Sequence, residues 1–298
     1  MVGARRSIAF VKMHGAGNDF VVLDGIVDEL PPLAAFARRI GHRNFGIGFD
    51  QLLVARHPHD PDAADFRMEI YNRDGSRAEM CGNGIRAFFK FLRDRGHTSR
   101  ESIRVETLAG VVVPRWVGQD RVTVDMGRPV LVPAEIPIAL EKLGDSRASA
   151  SESDGPVLDV RLDVAGGSVI LSSVSMGNPH AVVVVEDVET APVATLGPAI
   201  ETHAAFPNGT NVEFIEIAAG DRIRQRTWER GAGETLACGS GACAAAVTSM
   251  LRGVADAEVA VELRGGELEI AWKGGPASVF MTGPAATVFT GEIPAEED

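Results

Sequence analysis

The sequence predicts an α+β fold with two pseudo-symmetric domains, each a mixed or antiparallel β-sheet wrapped around a central helix, with the functional site in the cleft between them. Its length of 298 residues suffices for two domains of about 150 residues each. Short runs of β-branched residues, separated by Gly, Pro, Asn and Asp, outnumber the helical patterns. A motif built around a cysteine also occurs twice, half a chain apart. Together these features favour two similar halves.

The strands are predicted where β-branched and aromatic residues cluster between turn residues. In the first half they are Ser7–Lys12, Phe20–Asp24, Gln51–Arg56, Phe66–Asn72, Val111–Val117 and Val122–Met126. In the second half they are Leu158–Val164, Val169–Met176, Ala181–Val185, Asn211–Ala218, Ile223–Trp228, Ala257–Leu263, Leu268–Trp272, Val279–Thr282 and Thr287–Thr290. Gly265-Gly266 indicates a hairpin between two of them.

Three segments have helical patterns with matching start or stop residues. Pro32–Ile40 begins with proline, which suits the first turn of a helix. Asn83–Arg95 is apolar on one face and is followed by Gly96, a typical terminating glycine. Ser240–Arg252 is rich in alanine and almost uncharged, and Gly253 follows it. A helix that is apolar all round is expected in the middle of a domain.

An internal repeat relates the two halves. Tyr71-Asn72-Arg73 precedes Cys81-Gly82-Asn83-Gly84 by the same step of ten residues that separates Trp228-Glu229-Arg230 from Cys238-Gly239-Ser240-Gly241. Two further pairs of motifs recur in the same order: Gly17-Asn18 with Gly177-Asn178, and Phe45…Gly48…Asp50 with Phe206…Gly209…Asn211. The predicted domains are residues 1–127 plus 283–298, carrying Cys81, and residues 128–282, carrying Cys238. The polar stretch Leu143–Pro156 is predicted to be a flexible loop or linker.

Composition excludes several classes of function. The net charge of −12 argues against nucleic-acid and anionic-membrane partners. The apolar runs are too short for a signal peptide or a membrane span. Three cysteines without metal-ligand spacing favour a reducing cytoplasm, no metal site and chemistry at individual thiols. His57, His59 and the acidic residues after them are interpreted as a solvated loop.

The two Cys-Gly-x-Gly turns indicate the chemistry. A helix N-terminus presents N–H groups that bind carboxylates, and its field lowers the pKa of a thiol. Two such turns around one substrate would let a thiolate remove an α-proton while the opposite thiol returns one, without a cofactor. Two alternatives stay open: buried structural cysteines, and a regulatory Cys81–Cys238 disulfide. Cys243, which has Arg86 opposite it in the repeat, is interpreted as core.

The sequence also resembles the diaminopimelate epimerase family. The likeness rests on five blocks in family order: Met13–Phe20, Ala78–Gly84, Met176–His180, Pro207–Asn211 and Trp228–Cys243. The resemblance implies a cofactor-independent enzyme that interconverts LL- and meso-2,6-diaminopimelate, on the route to lysine and peptidoglycan. It also implies a homodimer, although Phe289 stands where relatives can carry a tyrosine at the dimer contact.

Residue roles follow from the same resemblance. Cys81 and Cys238 are implied as the acid/base pair, with His180 and Glu229 as polar groups that help to set thiol protonation. The substrate carboxylate at the reacting centre is assigned to Gly82, Asn83, Gly239 and Ser240. The remaining substrate contacts are assigned to Asn18, Gln51, Asn72, Asn178, Asn211 and Arg230, with Glu229 near the reacting ammonium.

Two alternative functions remain at this point. Proline or hydroxyproline racemases are related, but they typically have His after the first Cys-Gly, where this chain has Asn83. The Trp228-Glu229-Arg230 block also argues against them. A non-catalytic thiol redox or amino-acid-binding protein is the alternative from another class.

Overall fold

The computed structural model describes residues 6–143, 155–165 and 167–296. Its chain divides into two compact units, Met1–Asp125 with Thr282–Asp298, and Met126–Met281. The domain limits predicted from the sequence stay a prediction, because compactness alone does not establish that a unit folds independently. Most of the predicted linker Leu143–Pro156, from residue 144 to residue 154, lies outside the described residues.

Strands and helices alternate along the described part of the chain. The strands are β1 (Ser7–Gly15), β2 (Asn18–Asp24), β3 (Gln51–Arg56), β4 (Phe66–Asn72), β5 (Val105–Thr107), β6 (Gly110–Val112), β7 (Arg115–Gly118), β8 (Arg121–Asp125), β9 (Val157–Val164), β10 (Gly167–Ser175), β11 (Pro179–Val184), β12 (Asn211–Ala219), β13 (Arg222–Glu229), β14 (Gly233–Thr235), β15 (Glu258–Leu263), β16 (Gly266–Ala271), β17 (Phe280–Pro284) and β18 (Ala286–Pro294). The helices are α1 (Leu33–Ile40), α2 (Gly82–Asp94), α3 (Val193–Glu201) and α4 (Gly239–Leu251), with a 3₁₀ turn at Leu140–Lys142.

The first unit is a mixed sheet around helix α2. Its strand order is β18-β1-β2-β3-β4-β5-β6, in which β2 with β3 and β4 with β5 are the parallel pairs. Helix α2 packs on β1, β2, β3 and β8, and it buries most of its side chains, including Phe88 and Phe89. Helix α1 buries Phe36 and Ile40 in a separate apolar cluster with Leu52.

The second unit repeats this plan around helix α4. Its strands run β9-β10-β11-β12-β13-β15-β16, with β11 and β12 parallel and β13 and β15 parallel. Helix α4 packs on β10 to β13, β15 and β16. Because its residues are small, neighbouring strands can approach the helix closely, and Ala242 to Val247 are fully buried.

The two units share order and register. Helices α1 and α3 connect the first parallel pair in each unit, and α2 and α4 connect the second pair. Phe20 pairs with Gln51 in the first unit as His180 pairs with Asn211 in the second. The register therefore matches Gln51 with Asn211, one residue away from the sequence match of Asp50 with Asn211. The predicted α+β class and its repeat of a sheet around a central helix are confirmed.

The structure differs from the sequence prediction in several places, among them the short strands β5 and β14, which were not predicted. Helix α3 was not predicted, because Pro198 lies inside it and removes a backbone donor. The predicted strand Val111–Val117 is instead two strands: β6 ends before Pro114, and β7 begins after it. Proline cannot donate to a sheet ladder, so the pairing breaks there. The predicted hairpin at Gly265-Gly266 is confirmed, since Leu263 pairs with Gly266.

Candidate active site

The two repeated cysteines have the same local geometry. Each is the residue immediately before its helix, α2 or α4, and each has an extended backbone. The Gly84 N–H donates to the Cys81 Sγ at 3.3 Å, and the Gly241 N–H donates to the Cys238 Sγ at 3.4 Å. The sulfur thus satisfies an N–H group that the first helical turn leaves without a backbone partner.

Each helix also presents two further N–H groups. Among the described residues, the backbone N–H groups of Gly82, Asn83, Gly239 and Ser240 have no hydrogen-bond partner. Adjacent N–H groups at a helix N-terminus bind carboxylate oxygens, and the helix dipole adds to the attraction. These are the residues that the sequence assigns to the substrate carboxylate.

Asn18 connects the Cys81 turn to the tip of the β1–β2 hairpin. Its Oδ1 accepts from the Cys81 Sγ at 3.7 Å and from Asn83 Nδ2 at 3.5 Å. Its Nδ2 donates to Asp50 Oδ2 at 2.8 Å. The hairpin can place Asn18 here because Ala16 and Gly17 both have positive φ, 52° and 88°, which makes a tight two-residue turn.

A buried arginine lies beneath the Cys81 turn. Arg86 is fully buried, and its guanidinium donates to the Gly82 carbonyl at 3.1 Å and to Asn83 Oδ1 at 2.8 Å. It also donates to the Pro284 carbonyl at 3.3 Å. In the repeat Arg86 is only the counterpart of Cys243, yet in the structure it fixes both residues that follow Cys81.

Gln51 and Asn72 form a second polar group in the first unit. Gln51 Nε2 donates to Asn72 Oδ1 at 3.1 Å, and Asn72 Nδ2 donates to the Ser76 hydroxyl at 3.0 Å. The Gln51 Oε1 is buried and has no partner among the described residues. An acceptor of this kind suits an ammonium ligand.

The Cys238 thiol has an acidic environment. Burial, and then the negative charges of Glu229 and Glu213, raise its pKa well above the ordinary value. Hydrogen bonds from the Ser240 hydroxyl, 3.5 Å away, and from the Gly241 N–H oppose the shift but do not cancel it. The expected lowering of the pKa at the helix end is therefore wrong for Cys238, because burial, together with charges on other strands, outweighs the helix field.

His180 lies on β11 and is fully buried. Its Nδ1 contacts Glu213 Oε1 at 2.9 Å, and its Nε2 contacts Asn178 Oδ1 at 3.0 Å. Glu213, on the neighbouring strand β12, is also fully buried and was not predicted as a site residue. The described contacts of the His180 ring therefore go to these two side chains, and its predicted role in thiol protonation stays a prediction.

Asn211, Arg230 and Glu229 lie together at the ends of β12 and β13. The Arg230 N–H donates to Asn211 Oδ1 at 2.9 Å, and Asn211 Nδ2 donates to the Pro179 carbonyl at 3.2 Å. The Arg230 guanidinium donates to the Asn208 carbonyl at 2.9 Å, and it remains exposed. Glu229 accepts from the Thr235 hydroxyl. These contacts hold the loop ends that carry the predicted substrate ligands.

The described residues contain neither a metal-binding cluster nor a helix that could span a membrane. Over residues 6–143, 155–165 and 167–296, no group of three or more His, Cys, Asp or Glu side chains could hold a metal ion. None of the helices in these segments is long and apolar enough to cross a membrane.

Several solved structures share this architecture. A Bacillus anthracis phenazine biosynthesis protein has a TM-score of 0.68 at 15% identity, covering 97% of this chain and 99% of its own. A hydroxyproline epimerase from Agrobacterium vitis has a TM-score of 0.66 at 17% identity, covering 97% and 91%. At this identity the likeness shows the shared fold alone: two sheet-around-helix units.

Sequence relatives identify the family within that fold. A family model described as diaminopimelate epimerase matches residues 10–132 and 172–288. The diaminopimelate epimerase of Aromatoleum aromaticum is 50% identical over 287 residues, which is 96% of this chain and 99% of that protein. That of Cupriavidus necator is 50% identical over 286 residues, covering 96% and 97%. The chain belongs to the diaminopimelate epimerase family.

Proposed function

We propose that this protein interconverts LL- and meso-2,6-diaminopimelate, a step toward lysine and peptidoglycan precursors, with Cys81 and Cys238 as the two acid/base groups. One observation carries the mechanism. Both thiols cap helices at repeat-related positions, and both accept the N–H of the residue three places on, at 3.3 and 3.4 Å. A common fold does not require a cysteine at either cap, so the matched pair indicates a shared chemical task.

The reaction needs a proton acceptor and a proton donor on opposite faces of one carbon. The thiolate of one cysteine takes the α-proton, and the electron pair of the broken C–H bond spreads onto the adjacent carboxylate. The thiol of the other cysteine then gives its proton to the opposite face. The configuration is inverted, and the two sulfur atoms have exchanged protonation states. No cofactor is needed, because the thiols carry the proton and the carboxylate holds the charge.

The helix ends stabilise the intermediate. The N–H groups of Gly82, Asn83, Gly239 and Ser240 lack partners among the described residues, so they can hold the substrate carboxylate as its charge grows. Donors preorganised in this way each contribute about 3–4 kcal/mol in comparable sites.

Different side chains suit the remaining charges of the substrate. Diaminopimelate has an amino acid at both ends, so its binding site needs acceptors and donors. The buried Gln51 oxygen and Glu229 are acceptors for ammonium groups, and the exposed Arg230 guanidinium can hold a carboxylate. Asn18, Asn72, Asn178 and Asn211 complete the proposed set of substrate contacts.

The environment of Cys238 assigns a starting state. Its raised pKa favours the thiol form of Cys238 at neutral pH, which suits it to donate a proton in the proposed cycle.

Proton exchange in deuterated water tests the proposal. Incubation with LL-diaminopimelate should give the meso isomer with deuterium at the inverted carbon. Cys81→Ala and Cys238→Ala should each abolish inversion, whereas Cys243→Ala should retain it, since Cys243 is buried inside α4 away from its first turn. Full activity in either of the first two variants would exclude the two-thiol mechanism. Activity on proline alone would exclude the substrate.

We propose further that the protein acts in the cytoplasm as a homodimer. The proposed mechanism supports the location, because it needs reduced thiols at both positions and an oxidising compartment would inactivate them. Val288 and Phe289 on β18 are exposed apolar side chains and support an interface between copies. Light scattering after size-exclusion chromatography should give twice the chain mass of 31.5 kDa. A mass of one chain at micromolar concentration would contradict the dimer.

A further inference from the structure

The contacts around His180 determine where its protons lie. Asn178 Oδ1, 3.0 Å from the ring Nε2, is an amide oxygen and can only accept. The Nε2 must therefore carry a hydrogen. The other ring nitrogen, Nδ1, is 2.9 Å from Glu213 Oε1, and this short contact needs one proton between the two atoms.

This arrangement fixes the side-chain amide of Asn178. Its oxygen is occupied by the His180 N–H, so its NH₂ group points away from the ring. Among the described residues, no acceptor takes a hydrogen bond from the Asn178 Nδ2. A reversed amide would place two N–H groups against a protonated ring nitrogen, which is unfavourable.

We infer that Glu213 is a positioning residue that acts through His180 to hold the Asn178 amide with its NH₂ group directed to a substrate carboxylate. The inference rests on the proposed function, which makes Asn178 a substrate ligand. Glu213 itself contacts the ring and the helix end. Its role is to keep a hydrogen on the His180 Nε2, and that hydrogen sets the orientation of the Asn178 amide.

The first unit shows that the fold does not need this pair. Phe20 occupies the register position of His180, and Leu53 corresponds to Glu213, two residues beyond the matched pair Gln51 and Asn211. Both are fully buried apolar side chains. There the hairpin asparagine, Asn18, is oriented by other groups, through its contact with Asp50. The buried pair in the second unit therefore reflects a requirement of that site rather than of the sheet.

The neighbouring helix is adapted to the carboxylate. A Cβ atom added at Gly241 would lie 2.5 Å from Glu213 Oε1, so only glycine lets the carboxylate approach the helix end. At the equivalent Gly84, the Leu53 Cδ2 would be 3.4 Å away. The position of Glu213 is thus built by both elements that contact it.

Nitrogen NMR of histidine-labelled protein tests the tautomer without substrate. The chain has seven histidines, and the His180 signals are identified by their loss in His180→Gln. At neutral pH we expect a directly bonded hydrogen on the His180 Nε2. A bare Nε2 would overturn the inference, because Asn178 would then have to donate to it with its amide reversed. This result does not depend on whether the protein turns over diaminopimelate.

Two substitutions of Glu213 then test the consequence for binding. Both Glu213→Gln and Glu213→Leu remove the carboxylate near Cys238, but only glutamine can still donate an N–H to the His180 Nδ1. Measured at the pH optimum of each variant, the KM for diaminopimelate should be about 10-fold or more higher for leucine than for glutamine, the loss expected for a hydrogen bond to a charged group. The ratio of their kcat values should stay within roughly threefold.

Glu216→Leu is the matched control on the same strand. Glu216 binds Arg224 at 3.0 Å and does not contact His180, so this variant should keep the KM of the unmodified protein. Equal KM values for the two Glu213 variants would overturn the inference. If Glu213→Leu does not fold, a bare His180 Nε2 in the NMR spectrum of the unmodified protein is the result that overturns it. An unmodified protein with no epimerase activity would instead refute the proposed function, while the tautomer could still be as expected.

Discussion

Gly241 and Gly84 are equivalent helix positions with different surroundings, and alanine at each should have different effects. In Gly241→Ala the new Cβ would lie 2.5 Å from Glu213 Oε1 and 3.2 Å from the Cys238 Cβ. In Gly84→Ala the corresponding contacts are 3.2 Å to the Cys81 Cβ and 3.4 Å to its sulfur. Ordinary contact between such atoms begins at about 3.5 Å.

The loss of stability in Gly241→Ala depends on whether the Glu213 side chain can move away from the new Cβ. Glu213 is fully buried and held by His180, so its oxygen can withdraw only by breaking that contact. Overpacking of this kind costs about 1–3 kcal/mol. Alanine gains about 1 kcal/mol over glycine in a helix interior, but the gain applies to both variants. Gly241→Ala should therefore be less stable than Gly84→Ala by about 1–3 kcal/mol.

Urea unfolding followed by circular dichroism measures the free energy of unfolding of both variants and the unmodified protein. A difference of less than about 0.5 kcal/mol between the variants would refute the close contact of Glu213 with the helix end. Gly241→Ala should also disturb the tautomer of His180, which the nitrogen NMR spectrum would report. An unchanged spectrum together with equal stability would leave no support for the contact.

Three further outcomes follow from charged and buried groups. Burial and the Glu229 charge raise the pKa of Cys238, so its thiol should ionise only above the usual thiol range. Glu229→Gln should shift the ultraviolet absorbance of the Cys238 thiolate to lower pH. An unchanged titration would exclude the Glu229 contribution. The pKa of Asp19 is lowered to about 2, since hydrogen bonds from Arg43 and Lys12 outweigh burial. The stabilisation that the Asp19 carboxylate provides is complete above its unfolded pKa near 3.8 and is lost as pH falls toward 2. Between about pH 5 and pH 2 the free energy of unfolding of Asp19→Asn, measured in urea, should therefore fall by about 2 kcal/mol less than that of the unmodified protein. Equal losses would contradict this. Arg86→Lys should reduce the free energy of unfolding by about 2–3 kcal/mol, because lysine cannot satisfy all three buried acceptors. A loss below about 0.5 kcal/mol in urea unfolding would show that the hydrogen bonds of Arg86 are replaced.

The repeat in the sequence carried most of what could be predicted about the fold. It matched the two cysteines, and it placed each at the start of a central helix. It could also have predicted α3, because α1 occupies the same place in the first unit. Helical propensity argues against α3, since Gly197 and Pro198 are both poor helix formers. Tertiary packing overrides that preference: a Cβ at Gly197 would lie 2.6 Å from the Trp228 ring, so glycine is what lets the helix approach.

The charges around Cys238 could not be predicted from the sequence near it. The helix dipole can be predicted from the motif, but the opposing carboxylates come from β12 and β13, which lie next to the helix only in the folded unit. Glu213 was not predicted as a site residue, because a glutamate within a largely apolar strand is typical of an exposed position. Its partner His180 is 33 residues away, and the register of two parallel strands brings them together.

The pairing of β1 with β18 affects how this chain can be made. Ser7 pairs with Pro294, so the first unit lacks its edge strand until β18 has been synthesised. The second unit is continuous in sequence and can form while the ribosome is still adding residues. Until then β1 has an unpaired edge, which is a template for association between nascent chains. Removal of β18 should therefore promote aggregation more than its exposed side chains would suggest. A circular permutant that joins the two ends and opens between Asp125 and Met126 would make both units continuous.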